Sequence, residues 1–174
     1  GGGHSREICN RYPNVKIINQ DILKFNLRRH FKASAKLKAI GNIPYYITTP
    51  IIEHLLKFRK QIDTIFISVQ KEFAKRMVAK PGSKDYGSFS CFLQYYSEPK
   101  IIFLIKKTSF LPMPKVDSCF LRLSIKQKLP LKPKEERLFF KIIRTAFQQR
   151  RKTLRNSLFG IIAPKKLGLF FEKY

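Results

Sequence analysis

The stretch Lys36-Leu37-Lys38-Ala39-Ile40-Gly41-Asn42-Ile43-Pro44-Tyr45 decides how this chain folds. Its first six residues, 36–41, read as a short strand that runs into a proline-containing loop. A helix is expected to begin at Pro50, whose fixed φ suits a first helical position, with Thr49 as its N-cap. Residues 62–69 are dominated by apolar and β-branched side chains, the pattern of a strand buried on both faces. Residues 71–80 read as a helix with Phe73, Ala74 and Met77 on its inner side, ending at Pro81-Gly82. Upstream, residues 5–12 read as the end of a helix stopped by Pro13, and residues 14–18 as a short strand with Asp21 just past its carboxyl end. Strands alternating with helices at this spacing imply a parallel α/β sheet.

Beyond the polar loop 82–88 the pattern changes. Residues 100–107 and 116–125 are two strands separated by a loop holding Pro112 and Pro114. A connection this short makes them antiparallel, a hairpin at the sheet edge. In the second strand Cys119, Leu121, Leu123 and Ile125 alternate with Ser118, Phe120, Arg122 and Ser124. The Lys/Pro-rich segment 126–134 marks a domain boundary, and residues 135–158 read as one helix with Phe139, Ile143, Phe147, Leu154 and Leu158 on its apolar face.

Composition narrows the function classes. Hydrophobic residues make up 44% of the chain and include 16 Phe, enough to build a core. The 36 Lys and Arg against 11 Asp and Glu give a net charge of +25, which draws polyanions and makes nucleic acid the leading partner. No apolar run approaches the ~18 residues of a membrane span, and no apolar segment near the N-terminus reads as a signal peptide. Cys9, Cys91 and Cys119 are widely spaced and lack a C-x-x-C, which fits a reducing, cytoplasmic setting. His4, His30 and His54 have no ligand spacing with them, so no metal is expected.

The chemistry points to two places. Ligands of open α/β sheets sit beyond the carboxyl ends of the strands, where Asn42-Ile43-Pro44-Tyr45 lies. The Asn42 side-chain oxygen and a backbone carbonyl at Ile43 or Pro44 can orient the two protons of an exocyclic amine, and Tyr45 offers a face on which a flipped base can stack. An ordinary Asn-x-Pro turn with a core tyrosine is the plainer alternative. The second place is basic. Arg137, Lys141, Arg144, Gln148, Arg151 and Arg155 follow each other at spacings of 4, 3, 4, 3 and 4, one stripe on a helix. From Lys126 to Tyr174 there are 14 Lys and Arg against 3 Asp and Glu, an excess too large for salt-bridge lacing and suited to phosphate contact.

Further runs accompany the Asn42–Tyr45 loop in order: Val69-Gln70-Lys71-Glu72, Lys80-Pro81-Gly82-Ser83-Lys84-Asp85-Tyr86-Gly87, Phe110-Leu111-Pro112-Met113-Pro114-Lys115-Val116-Asp117-Ser118, and Phe147-Gln148-Gln149-Arg150-Arg151-Lys152-Thr153-Leu154. Together they closely resemble the rRNA adenine dimethyltransferase family, KsgA type. The resemblance implies a Rossmann-like methyltransferase sheet and an S-adenosylmethionine methyl donor. It implies transfer to two adjacent adenines of a small-subunit rRNA hairpin loop, with a role in ribosome biogenesis. It assigns catalysis to Asn42, Pro44 and Tyr45, with Phe110 sandwiching the base opposite Tyr45. It assigns the donor's adenine end to Asp21, with Ile22 and Asn42 beside it. Rated on its own, Asp21 is equally a turn residue and Phe110 a core aromatic. RNA contact falls to Arg137, Lys141, Arg144, Arg150, Arg151, Lys152 and Arg155.

The family's glycine-rich donor loop and the acidic residue after its second strand have no counterpart here, since Gly1-Gly2-Gly3 follows no strand. The expected architecture is therefore α/β, a partial Rossmann-like sheet lacking its first strands (residues 1–125) with an antiparallel edge hairpin, followed by an incomplete basic α-helical RNA-binding domain (residues 126–174). Taken alone, the chain is expected to bind RNA without transferring methyl groups. Two alternatives are a large-subunit rRNA methyltransferase of the antibiotic-resistance type and a non-catalytic RNA-binding assembly factor.

Overall fold

A computed structural model describes residues 11–129, 136–149 and 151–173. Four strands form one mixed sheet in the order β1-β2-β4-β3, with β1 (Leu37–Asn42), β2 (Ile62–Gln70), β3 (Ser97–Ile105) and β4 (Ser118–Ile125). β1 and β2 are parallel, and the hairpin β3–β4 is antiparallel and inserts its second strand next to β2. The edge hairpin expected from the sequence is thus present, with β3 outermost.

The helices α1 (Thr48–Leu56), α2 (Lys71–Val78) and α3 (Ser88–Tyr96) supply the apolar partners of the sheet. Ile65, Ile67 and Val69 of β2 and Leu121 and Leu123 of β4 join Ile52, Ala74, Met77 and Leu93 in one core, each almost wholly buried. The opposite face is open. Directly opposed residues of neighbouring strands share a face, as do alternate residues of one strand, so Ile40, Phe66, Phe120 and Phe103 lie together on it. The Phe120 ring stacks between Phe66 at 6.0 Å and Phe103 at 5.0 Å, yet Ile40 remains 78% and Phe103 51% exposed.

The structure corrects several sequence-based expectations. Residues 14–18 form no strand; Val15, Ile17 and Ile18 are exposed, and no described strand lies beside them to take up their backbone groups. The helix expected from Pro50 starts at Thr48 instead, because a 3₁₀ turn over Tyr45–Ile47 leads directly into it, and Thr49 makes no cap. Segment 88–96, unassigned by pattern, is α3. The Gly87 N–H donates to Ser90 Oγ at 3.0 Å, and that hydroxyl donates to the Arg76 carbonyl at 2.6 Å, which joins the start of α3 to the end of α2.

The long helix expected over 135–158 is two, α4 (Glu136–Gln148) and α5 (Leu154–Leu158). Thr153 is responsible, since its side chain accepts the Asn156 N–H at 3.3 Å and so opens a new helix. Gly160, at φ +91°, turns the chain after α5, and α6 (Pro164–Lys173) begins on a proline. The expected helix end at 5–12 and the segment 126–134 fall largely outside the described residues. Among the described residues no helix is long and apolar enough to cross a membrane.

Candidate active site and basic face

β1 delivers Asn42 at its carboxyl end, and the chain then folds back on itself. Gly41 permits this, because a Cβ there would stand 3.3 Å from the Ile43 side chain. The Pro44 carbonyl accepts the Ile47 N–H at 3.2 Å and the Thr48 hydroxyl at 3.4 Å, which closes the 3₁₀ turn. Across from this loop, Phe110 follows a second 3₁₀ turn, Lys107–Ser109. Asp117 clamps that segment. Its carboxylate accepts the Lys107 N–H and its carbonyl accepts the Lys71 N–H, both at 3.0 Å. Between the two loops lies an open recess of about 290 Å³, walled by Asn42 to Tyr45 on one side and by Phe110, Pro112 and Pro114 on the other.

All four residues expected to carry catalysis therefore meet. Two further residues at this place were not singled out from sequence. Tyr45 Oη lies 2.6 Å from Ser118 Oγ, a wholly buried hydroxyl that fixes the ring from behind. Ser68 is buried next to Asn42 in the β1–β2 register, and its Oγ has no hydrogen-bond partner among the described residues. The signal for Ser118 was its place at the end of the Phe110 run. For Ser68 it was a hydroxyl inside the apolar stretch Ile65-Phe66-Ile67-Ser68-Val69.

Asp21 and Ile22 are exposed and do not wall the recess. Asp21 opens a turn, its carboxylate accepting the Leu23 N–H at 2.9 Å and its carbonyl the Lys24 N–H at 3.0 Å. This segment is held to the sheet body by His54 Nε2, 2.8 Å from the Phe25 carbonyl oxygen.

The basic stripe is interrupted. Arg137, Lys141, Arg144 and Gln148 are exposed along α4, whereas Arg151 and Lys152 sit in the turn after it and Arg155 on α5, all exposed. Arg150 lies outside the described residues. α4 is docked on α3 through Phe140, whose ring lies 5.1 Å from Phe92 and 5.6 Å from Tyr96. Arg59 Nη2 meets Glu136 at 3.4 Å and covers the Tyr96 ring at 5.1 Å. Burial raises the pKa of the Tyr96 hydroxyl, and the Glu136 charge raises it further. At the other end of α4, Phe147 packs on Tyr86 at 5.9 Å, which ties the 80–87 run to the basic helix.

A family model described as ribosomal RNA adenine dimethylase matches residues 4–173. The chain belongs to that family. It is 46% identical over 156 residues to a protein of Lachnoclostridium phytofermentans named ribosomal RNA small subunit methyltransferase A, covering 88% of this chain and 54% of that protein. It is 42% identical over 157 residues to the protein of that name from Oceanobacillus iheyensis, covering 88% of this chain and 53% of the relative. The chain thus spans about half the length of the curated relatives it matches. A crystal structure of a dimethyladenosine transferase from Plasmodium falciparum superposes with a TM-score of 0.75 at 27% identity, covering 88% of this chain and 54% of that one. A 23S rRNA methyltransferase, ErmE, reaches a TM-score of 0.70 at 22% identity over 92% of this chain and 62% of that one, a likeness of fold. The sheet is accordingly that of a Rossmann-like methyltransferase of the ribosomal RNA adenine dimethylase family.

Proposed function

We propose that the protein is the rRNA adenine dimethyltransferase its family membership suggests, acting on two adjacent adenines of a small-subunit rRNA hairpin loop during ribosome biogenesis. The observation that supports this best is the recess itself, which joins Asn42 and an anchored Tyr45 ring to Phe110. A flipped adenine between the two rings would leave its amine beside Asn42. An exocyclic amine is a weak nucleophile because its lone pair is delocalised into the base. Two oxygens that accept hydrogen bonds from its two N–H groups draw the nitrogen toward tetrahedral geometry. Asn42 Oδ1 is one. The other is the Ile43 carbonyl, since both lone pairs of the Pro44 oxygen are occupied within the turn. No general base is needed, because the proton can leave to water after transfer.

The methyl donor would be S-adenosylmethionine, whose sulfonium supplies an activated methyl group. The residues present suit its adenine end. Exposed Asp21 has one carboxylate oxygen engaged by Leu23, which leaves the second to accept the adenine amine, with Ile22 as an apolar neighbour. Residues 126–174 would act as the RNA-holding unit, using Arg137, Lys141, Arg144, Arg150, Arg151, Lys152 and Arg155, and residues 1–125 as the catalytic one. The protein would work wherever small ribosomal subunits mature.

The test uses labelled S-adenosylmethionine and small subunits lacking the modification. A chain extended to the relatives' length is expected to label two neighbouring adenines, and its Asn42→Ala variant to lose that labelling. The 174-residue chain is expected to bind the RNA without transferring label. Label at any other base, or full labelling by the Asn42→Ala variant, would refute the assignment.

A further inference from the structure

Two cavities of about 370 Å³ and 300 Å³ adjoin between α1, α3 and α4. Glu53, Phe92, Phe140 and Arg144 line both, so they are the two ends of one groove. Its form follows from helical spacing. Thr49 and Glu53 stand one turn apart on α1, Phe89 and Phe92 on α3, and Phe140 and Arg144 on α4. The floor is aromatic, with Phe92 at 6.2 Å from Phe89 and 5.1 Å from Phe140. All three rings are half-buried rather than enclosed.

The charges are arranged unequally. At the far end Lys57 stands by the Arg59–Glu136 pair. In the middle, exposed Glu53 and Arg144 line the groove with no ion pair to each other among the described residues. The near end reaches Thr49, four residues after Tyr45 on the same continuous turn and helix, so the groove starts beside the recess.

We propose that this groove holds an unpaired RNA nucleotide bearing an exocyclic amine, adjacent to the base in the recess. The base lies on the phenylalanine floor, a phosphate meets Arg144, and the amine donates to Glu53. The cavity is of small-ligand size, whose usual range starts near about 300 Å³. A surface built only to attract a polyanion gains nothing from Glu53, whereas a surface that selects bases with an amine needs such an acceptor. The inference rests on the RNA-binding function proposed for this chain and extends it to a second nucleotide.

The sign of one substitution separates the possibilities. Binding of fluorescently labelled A₆ and U₆ RNA is measured by anisotropy for the chain and for Glu53→Ala, Arg144→Gln and Tyr45→Ala, each checked for folding by circular dichroism. The chain is expected to prefer A₆, and Glu53→Ala to reduce that preference by about tenfold, the value of one good base contact. Binding of U₆ to Glu53→Ala should stay level or tighten, because a negative charge has been removed. Arg144→Gln should weaken both RNAs, and Tyr45→Ala should leave the dependence on Glu53 in place. If Glu53→Ala tightens both RNAs equally, the groove is a solvated face and the inference fails. If the preference disappears with Tyr45→Ala alone, selection belongs to the recess and the inference again fails. If neither RNA binds at low salt, the RNA-binding function itself is at fault.

Discussion

The Tyr45 hydroxyl meets Ser118 Oγ at 2.6 Å, so it serves to hold the ring, and the ring borders the recess where the proposed base would stack. Ser118 is wholly buried, so removing its partner leaves a hydroxyl unsatisfied at about 1–3 kcal/mol, while removing both partners together costs far less. Tyr45→Phe and Ser118→Ala are each expected to lower stability in urea unfolding by about 1 kcal/mol or more. The double variant should fall short of the sum by about 0.5–1.5 kcal/mol, and strict additivity would show that this hydrogen bond does not anchor the ring. Tyr45→Ala should in addition weaken RNA binding by the ~1–3 kcal/mol of a stacked base, whereas the Phe variant keeps the face and loses only its fixed angle.

At the scale of the element, the basic side chains among the described residues, Arg137, Lys141, Arg144, Arg151, Lys152 and Arg155, stand on two helices and in the turn after the first, and all six are exposed. If they meet phosphates, the triple variant Arg144→Ala, Arg151→Ala, Arg155→Ala should flatten the slope of log affinity against log salt by about 0.7–0.9 for each phosphate no longer neutralised. An unchanged slope would show that these arginines face only water. Patterning made β1, β2, α2 and the β3–β4 hairpin legible through their apolar periods and the turn residues between them, but it began β3 at Lys100 instead of Ser97, because α3 runs into that strand with no turn to mark the change. It passed over α3, whose Ser88-Phe89-Ser90-Cys91-Phe92 has the aromatic, alternating look of a strand; Gln94 donating to the Met77 and Ala79 carbonyls and Ser90 to that of Arg76 override that preference from outside the segment. It likewise ran α4 and α5 together, since the apolar spacing continues through the break and only the Thr153 cap marks it. The recess was legible as motifs, but the Ser118 anchor was not, because the residues are 73 apart in sequence and meet only once β4 is laid beside β2.

For the molecule as a whole, one side of the sheet is covered by helices and the other shows Ile40, Phe66, Phe120 and Phe103 to solvent. Contiguous apolar surface of this kind drives association. Sedimentation of the 174-residue chain is expected to show self-association that grows with concentration and persists in high salt, and Phe103→Lys should shift it toward monomer with the fold retained. A chain that stays monomeric throughout would show that this face is covered by other means.

Tyr96 ends α3 and Ser97 begins β3 with no connecting residue between them. α4 is docked on that same helix through Phe140, and the Arg59–Glu136 pair ties it to the turn after α1, so the side chains of α4 are held against the body that carries the sheet. If these arginines hold phosphates and Tyr45 the target base, as proposed, a scaffold that fixes their spacing would act as a gauge: an RNA stem one base pair too long or too short would seat its phosphates and leave its target base out of reach.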